Sequence, residues 1–219
     1  MKAKRRSRVK FRYDPAKALA HLTAADPALG SVIKRVGPFA LELEPTASLF
    51  EAMLRSIVYQ QLHAKAAACI LARVRAELER HGGVAAEAAM SVSDELLRAA
   101  GLSRNKLLAV RDLAARCRDG TVPTFAEARS LADDELVARL TTVRGIGPWT
   151  VHMLLIFHLG RPDVMPTGDF AIRLAFKKLY RKRKDPKPDQ IVKHARRWQP
   201  YRSVASWYLW RSLEGPAAL

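Results

Sequence analysis

Apolar positions in this chain recur with the period of a helix. Behind Ser48-Leu-Phe-Glu51, residues Leu49, Phe50, Met53, Leu54, Ile57, Val58 and Leu62 form one stripe, which predicts a helix burying a single face. Ser48 and Glu51 read as a capping box, the hydroxyl taking an orphan N–H and the Glu reaching back. An Ala-rich helix follows over 64–80, stopped by His81-Gly82-Gly83. Ser93 can cap DELLRAAG, which ends at Gly101, and another helix spans about 104–118. Thr124-Phe-Ala-Glu127 is a second capping box, and Asp133 or Asp134 opens ELVARLTTV. Gly145-Ile-Gly147-Pro148 breaks the pattern, and Trp149 to Leu159 resumes it. Further helices are expected over about 170–181, 188–197 and 201–213. Period-two alternation is confined to Phe39-Ala-Leu-Glu-Leu-Glu, a short strand or an extended connector. The chain is therefore all-α, with neither a parallel sheet nor a Gly-rich Rossmann or P-loop signature.

Composition narrows the picture. The chain has 219 residues, 49% of them apolar, enough for one large domain or two small lobes and too apolar for a disordered tail. No apolar run is long enough to span a bilayer. The basic N-terminus, MKAKRRSRVKFRYD, has no apolar segment behind it and is not a secretory signal. Cys69 and Cys117 both fall in Ala-rich helical stretches and read as small buried helix residues in a reducing compartment. Two cysteines cannot hold a four-thiolate iron–sulfur cluster.

Charge changes the picture most. The net charge is +17, which attracts a polyanion. Residues 46–166 hold 15 Lys and Arg against 13 Asp and Glu, and the rest of the chain holds 23 against 8. The excess thus lies in the two chain ends. We divide the chain into a basic tail, 1–10, a basic helical lobe from 11–45 plus 167–219, and a central helical lobe, 46–166. The basic runs lack the Trp/Leu-rich face of an interfacial helix, so nucleic acid fits better than a membrane surface.

The segment LTTVRGIGPWTVHMLLIFHLGRPDVMPTGDFAIRLAF, residues 140–176, carries the chemistry. Gly145 and Gly147 permit positive φ and close backbone approach, and Pro148 presets the first turn of the next helix. Free N–H groups of the turn and of the new helix then point one way, which holds an anion such as a DNA phosphate. A plain helix–turn–helix corner would look the same from this turn alone. Asp169 opens FAIRLAF and, read blandly, is a helix N-cap.

The whole stretch resembles the helix-hairpin-helix DNA glycosylases, whose hairpin is followed some twenty residues on by a loop carrying an Asp. The position after Pro148 holds Trp149 rather than the Schiff-base Lys of members that also nick the strand, and an indole cannot form an imine. Together with the missing cluster, this is similar to the monofunctional 3-methyladenine DNA glycosylase II family, in a compact form without an N-terminal β-rich domain. Ile57-Val-Tyr-Gln-Gln-Leu-His-Ala-Lys, Gly101-Leu-Ser-Arg-Asn-Lys and Trp198-Gln-Pro-Tyr-Arg-Ser-Val-Ala-Ser-Trp-Tyr-Leu-Trp resemble further segments of that family.

The resemblance implies two helical lobes flanking a cleft, with the helix-hairpin-helix at about 136–159. It makes Asp169 the catalytic carboxylate; an anion is favoured at the positive end of a helix. It makes Leu62 the wedge that fills the gap left by an extruded base, with His63 beside it at the groove. Trp210 matches an aromatic of the base pocket, and Trp149, Tyr59, Trp207 and Tyr208 are weaker pocket candidates. Gly145 and Gly147 through their N–H groups, and Thr150 through its hydroxyl, would hold phosphate. The carbonyls of Thr141, Val143 and Ile146 would hold a Na+ or K+ ion, and no other cofactor is implied. Lys177 and Lys178, with the run Arg181-Lys182-Arg183-Lys184, would track the DNA backbone.

A base alkylated at N3 or N7 of a purine is positively charged and leaves readily. The enzyme need only flip it out, face it with aromatic rings and shelter an oxocarbenium-like sugar. Its partner is damaged duplex DNA, met as a monomer in the bacterial cytoplasm or a eukaryotic nucleus. Three rivals stand: a glycosylase of the same fold for uracil, mismatched or deaminated bases, a noncatalytic DNA-lesion binder, and a helix-turn-helix regulator. VHMLLIFHL is too apolar to be a recognition helix in a groove.

Overall fold

A computed structural model of the chain describes residue 11 and residues 13–214. The basic tail 1–10 lies outside the described residues. In chain order the helices are α1 (Pro15–Ala25), α2 (Pro27–Val36), α3 (Leu49–Tyr59), α4 (Ala64–Arg80), α5 (Ala86–Ser91), α6 (Asp94–Ala99) and α7 (Arg104–Arg118). There follow α8 (Phe125–Ser130), α9 (Asp133–Leu140), α10 (Pro148–Phe157), α11 (Phe170–Leu179), α12 (Pro188–Ala195), a 3-10 turn (Arg196–Trp198) and α13 (Arg202–Arg211). No strand occurs among the described residues. The alternating run at 39–44 is an extended connector, tied back where the Glu44 N–H donates to the Phe157 carbonyl. No described helix is long and apolar enough to cross a membrane.

The chain forms two compact units, one of Met1–Pro45 with Leu155–Leu219 and one of Thr46–Leu154. The expectation put the second switch after residue 166. It occurs inside α10 instead, because an apolar helix that runs without a break between two cores carries no boundary signal.

In the Thr46–Leu154 unit, α7 packs on α3, α5 and α6, and α4 packs on α3, α5 and α6. Leu49, Met53, Leu54, Ile57 and Val58 of the predicted stripe are buried. Caps start these helices as their sequences imply, with one variation. Ser48 accepts from the Glu51 N–H, while the Glu51 carboxylate accepts from the Ala47 N–H rather than from that of Ser48. Thr124 and Glu127 form the full reciprocal box. Asp133 and Asp134 stand in the first turn of α9, behind Ala132, and favour the helix through its dipole instead of capping it. Cys69 is exposed, not buried as its Ala-rich neighbours imply. Burial, with Glu87 and Asp119 nearby, pushes the Cys117 thiol up to about 11, which leaves it a poor nucleophile.

In the other unit, α1 packs on α2, and α13 packs on α1, α2 and α11. At its centre is Asp26, which ends α1 and caps α2. It is buried, and its Oδ2 accepts from Tyr180 Oη at 2.7 Å, His194 Nε2 at 2.9 Å and Trp198 Nε1 at 3.0 Å. Its Oδ1 accepts from the Leu29 N–H at 3.2 Å. Burial alone pushes such a carboxyl up, but the donors, His194 first, outweigh it and hold Asp26 far below the ordinary carboxylate range. The depressed group contributes stability that is present above its unfolded pKa and is lost as pH falls toward the folded one. Asp26→Asn should therefore cost about 3 kcal/mol at neutral pH, and urea unfolding across pH should show that the variant's deficit shrinks below about pH 4.

Candidate active site and DNA interface

Each unit carries one half of the candidate machinery. In the unit formed by the chain ends, the site is the loop from Pro162 to Asp169. Its backbone is braced by the first turns of α13. The Ser203 N–H donates to the Pro162 carbonyl at 2.9 Å, the Val164 N–H donates to Ser203 Oγ at 2.9 Å, and Arg202 pairs with Asp163 at 2.7 Å. The Asp169 N–H then donates to the Pro166 carbonyl at 2.9 Å, closing a turn that ends on the carboxylate. Asp169 caps α11: its Oδ1 accepts from the Ile172 N–H at 2.9 Å and from Trp210 Nε1 at 3.1 Å. The Trp210 ring stacks on Phe157 at 5.6 Å between centroids. Phe170, the residue after Asp169, is 76% exposed.

A partly buried carboxylate thus sits beside a stacked aromatic pair. One of its oxygens is held by two N–H donors, so the group is oriented before any substrate arrives. Trp210 and Asp169 are brought together as the resemblance implies. Trp207 and Tyr208 are not part of this wall. Tyr208 is fully buried and its hydroxyl donates to the Gly37 carbonyl, while Trp207 packs edge-on against Phe39. Both are core residues, and the pocket role expected of them is corrected. Phe157 and Phe170 carry no signal in the sequence, one lying inside an apolar helix and the other at a helix start.

In the Thr46–Leu154 unit, α3 ends at Tyr59. Gln61 then takes φ 55°, a left-handed conformation unusual for a residue with a side chain. Leu62 follows, outside the helix and 40% exposed, so it is no longer part of the buried stripe. His63 is exposed and caps α4 through Nδ1. Tyr59 is half-buried, with the Arg55 guanidinium 4.1 Å above its ring.

This loop is tied to the hairpin by side chains that donate to backbone. Lys106 Nζ donates to the carbonyls of Val58 and Gln60 at 2.7 and 2.9 Å, and Gln60 Nε2 donates to the Gly145 carbonyl at 2.8 Å. On the hairpin's other flank, the Arg144 N–H donates to Asp112 Oδ2 at 2.7 Å. Val143 and Ile146 bury their side chains, and the Ile146 N–H donates to the Val143 carbonyl at 3.0 Å.

Gly145 has φ +77° and needs to be glycine for its backbone. Gly147 does not have a positive φ, and a Cβ there would meet nothing within 4 Å. The fold leaves the space over Gly147 open. Trp149 is 47% exposed just beyond it, whereas Thr150 is 6% exposed, which removes its hydroxyl from the expected phosphate contacts. Lys177 is paired with Asp185 at 2.7 Å, and Lys178 is exposed.

A helix-hairpin-helix turn and an N-capping Asp between aromatics invite comparison with known proteins. Residues 54–200 match the profile of the HhH-GPD superfamily of base excision DNA repair proteins. The chain belongs to that superfamily. Among HhH-GPD relatives, the DNA-3-methyladenine glycosylase 1 of Schizosaccharomyces pombe is 36% identical over 90% of this chain and 86% of its own length. The structure of the 3-methyladenine DNA glycosylase of that yeast in complex with abasic DNA matches with a TM-score of 0.77, covering 89% of this chain and 95% of that one. The crystal structure of a DNA-3-methyladenine glycosidase from Bacillus halodurans matches with a TM-score of 0.79 at 33% identity, covering 88% and 87%. HhH-GPD membership accounts for the all-helical fold and for the hairpin.

Lys106 braces the candidate DNA-facing loop, a role that sequence reasoning misses because lysines on helices are usually solvated. Its ammonium satisfies two carbonyls at the end of α3, and burial holds its pKa down. Lys106→Met should cost about 1–2 kcal/mol in urea unfolding, because two carbonyls lose their donor.

Proposed function

We infer that this protein is a monofunctional DNA glycosylase that flips out and hydrolytically excises alkylated purines, 3-methyladenine among them, in base excision repair. The observation that carries the reading is Asp169, held by the Ile172 and Trp210 N–H groups beside the Trp210–Phe157 stack. The carboxylate stabilises positive charge on the sugar as the glycosidic bond breaks, and the aromatic faces favour a cationic base. An alkylated purine leaves as a neutral base, so little general-acid help is needed. The names of the relatives above support this substrate class.

Leu62, exposed on its left-handed turn, is the residue to enter the duplex where the base has left. The N–H groups at Gly145 and Gly147 hold a phosphate near the lesion. The carbonyls of Thr141, Val143 and Ile146 can hold a Na+ or K+ ion, since that of Val143 has one hydrogen bond and a second lone pair. Such an ion would add fixed positive charge facing phosphate. Trp149 stands where a Schiff-base lysine would have to be, so no strand cleavage accompanies base release.

Asp169→Asn separates chemistry from folding, because Asn caps a helix as well as Asp does. Release of 3-methyladenine from methylated duplex should fall by on the order of 10² to 10³ in single-turnover rate, with duplex binding kept and no strand nicking by either protein. Wild-type activity only on uracil-containing or mismatched duplexes would transfer the assignment to that substrate class. Gly147→Ala should change the melting temperature little and weaken duplex binding about tenfold, because the added Cβ, which meets nothing in the protein, keeps a phosphate from the turn's N–H groups and one such bond is lost; anisotropy titration checks it.

A further inference from the structure

The unit of Met1–Pro45 and Leu155–Leu219 also carries a groove of about 450 Å³, apart from the Asp169 loop. It is lined by Arg35 of α2, Lys178 of α11, Arg181 beyond it, and Ser31 and Ser212. Among the described residues that line it, none is acidic. Arg35 and Lys178 lie in the last turns of their helices, where cations are favoured by the dipole. Their presence alone therefore needs no ligand.

Arg181 is different. It follows Tyr180, the cap of α11, at φ 49°, and the Lys182 N–H reaches back to the Lys177 carbonyl at 2.9 Å. This is the left-handed position after a helix, where glycine costs least. The helix closure is complete without a side chain there, yet the residue is an arginine and its side chain lines the groove. Lys177, one turn earlier, is taken by Asp185, so the helix end already has its own ion pair. Capping and dipole both account for the other residues and leave Arg181 unexplained.

We propose that this groove binds a backbone phosphate of duplex DNA away from the lesion. A guanidinium pair and a lysine suit a phosphodiester; the hydroxyl protons of Ser31 and Ser212 are given to backbone carbonyls. The position also suits it. Lys178 lies nine residues beyond Asp169 along α11, about 14 Å along the helix, or about four base steps of about 3.4 Å on one strand. The proposal rests on the reading of the protein as a DNA enzyme but not on which base it removes.

The test uses the full chain and a long undamaged duplex, so base excision plays no part in the readout. Arg181→Gly should keep or raise the melting temperature, since glycine relieves the left-handed backbone. The double variant Arg35→Gln with Arg181→Gly should weaken duplex binding at all sequences. It should also reduce the slope of log affinity against log salt by about one, as expected when one phosphate is no longer neutralised. A control with equal charge loss elsewhere, Lys17→Gln with Arg118→Gln, should change the slope by less than half as much. An unchanged slope in the groove variant, or an equal change in the control, would overturn the proposal. A wild type that binds duplex as expected but releases no methylated base would instead refute the proposed activity and leave the groove standing.

Discussion

The buried carboxylate of Asp26 is the constraint on which the chain-end unit depends. A buried charge is costly unless every lone pair is used. Here the four donors come from α2, from the end of α11, from α12 and from the 3-10 turn. One acceptor therefore forces segments more than 150 residues apart in sequence into a single arrangement. The consequence reaches the active site through α11. Tyr180, the cap of that helix, is bound to Asp26, and burial and this bond raise the phenol so far that it stays a donor. At its other end the helix is capped by Asp169. The carboxylate proposed to face the substrate thus sits on an element whose far end is fixed to the core.

The same economy governs the hairpin unit. Leu62 and Gly145 both stand on turns, where the backbone cannot satisfy its own polar groups. Lys106, Gln60 and Asp112 supply the missing partners from positions on or beside helices. Because Lys106 holds the backbone before the Gln61 kink and the Gln60 side chain reaches from there to the Gly145 carbonyl, the loop bearing Leu62 and the turn bearing Gly145 share one set of braces. A left-handed Gln61 persists because the backbone around it is held.

Much of this was legible in the chain. From α3 onward helix existence and order follow from period and caps, α5 excepted, and the hairpin and Asp169 follow from motif; the pattern predicts neither α1 nor α2. What was hidden has physical causes. In α13 every residue from Ser203 to Leu209 is buried, so no apolar stripe gives the helix a phase. Periodicity does not tell Trp207, Tyr208 and Trp210 apart; the resemblance favours Trp210, and packing brings it to Asp169 while the other two enter the core. The burial of Thr150 is hidden for the same reason, α10 being apolar nearly all round. Asp26, followed by Pro27, reads as an ordinary cap; its other donors lie too far along the chain for local pattern to find.

The charge distribution resolves an apparent conflict. A carboxylate that works on DNA must stand among phosphates that repel it. The unit holding Asp169 carries 24 Lys and Arg against 9 Asp and Glu, a potential that draws the duplex in spite of that repulsion. Yet Ile172 and Trp210, which orient Asp169, donate from neutral N–H groups. Screening acts over about 8–10 Å, so cations at the far end of α11 can attract the polyanion while leaving the anion at its near end effective. Separating the attracting charge from the carboxylate proposed as catalytic would let the unit bind a negative polymer and still present a negative group to a developing cation.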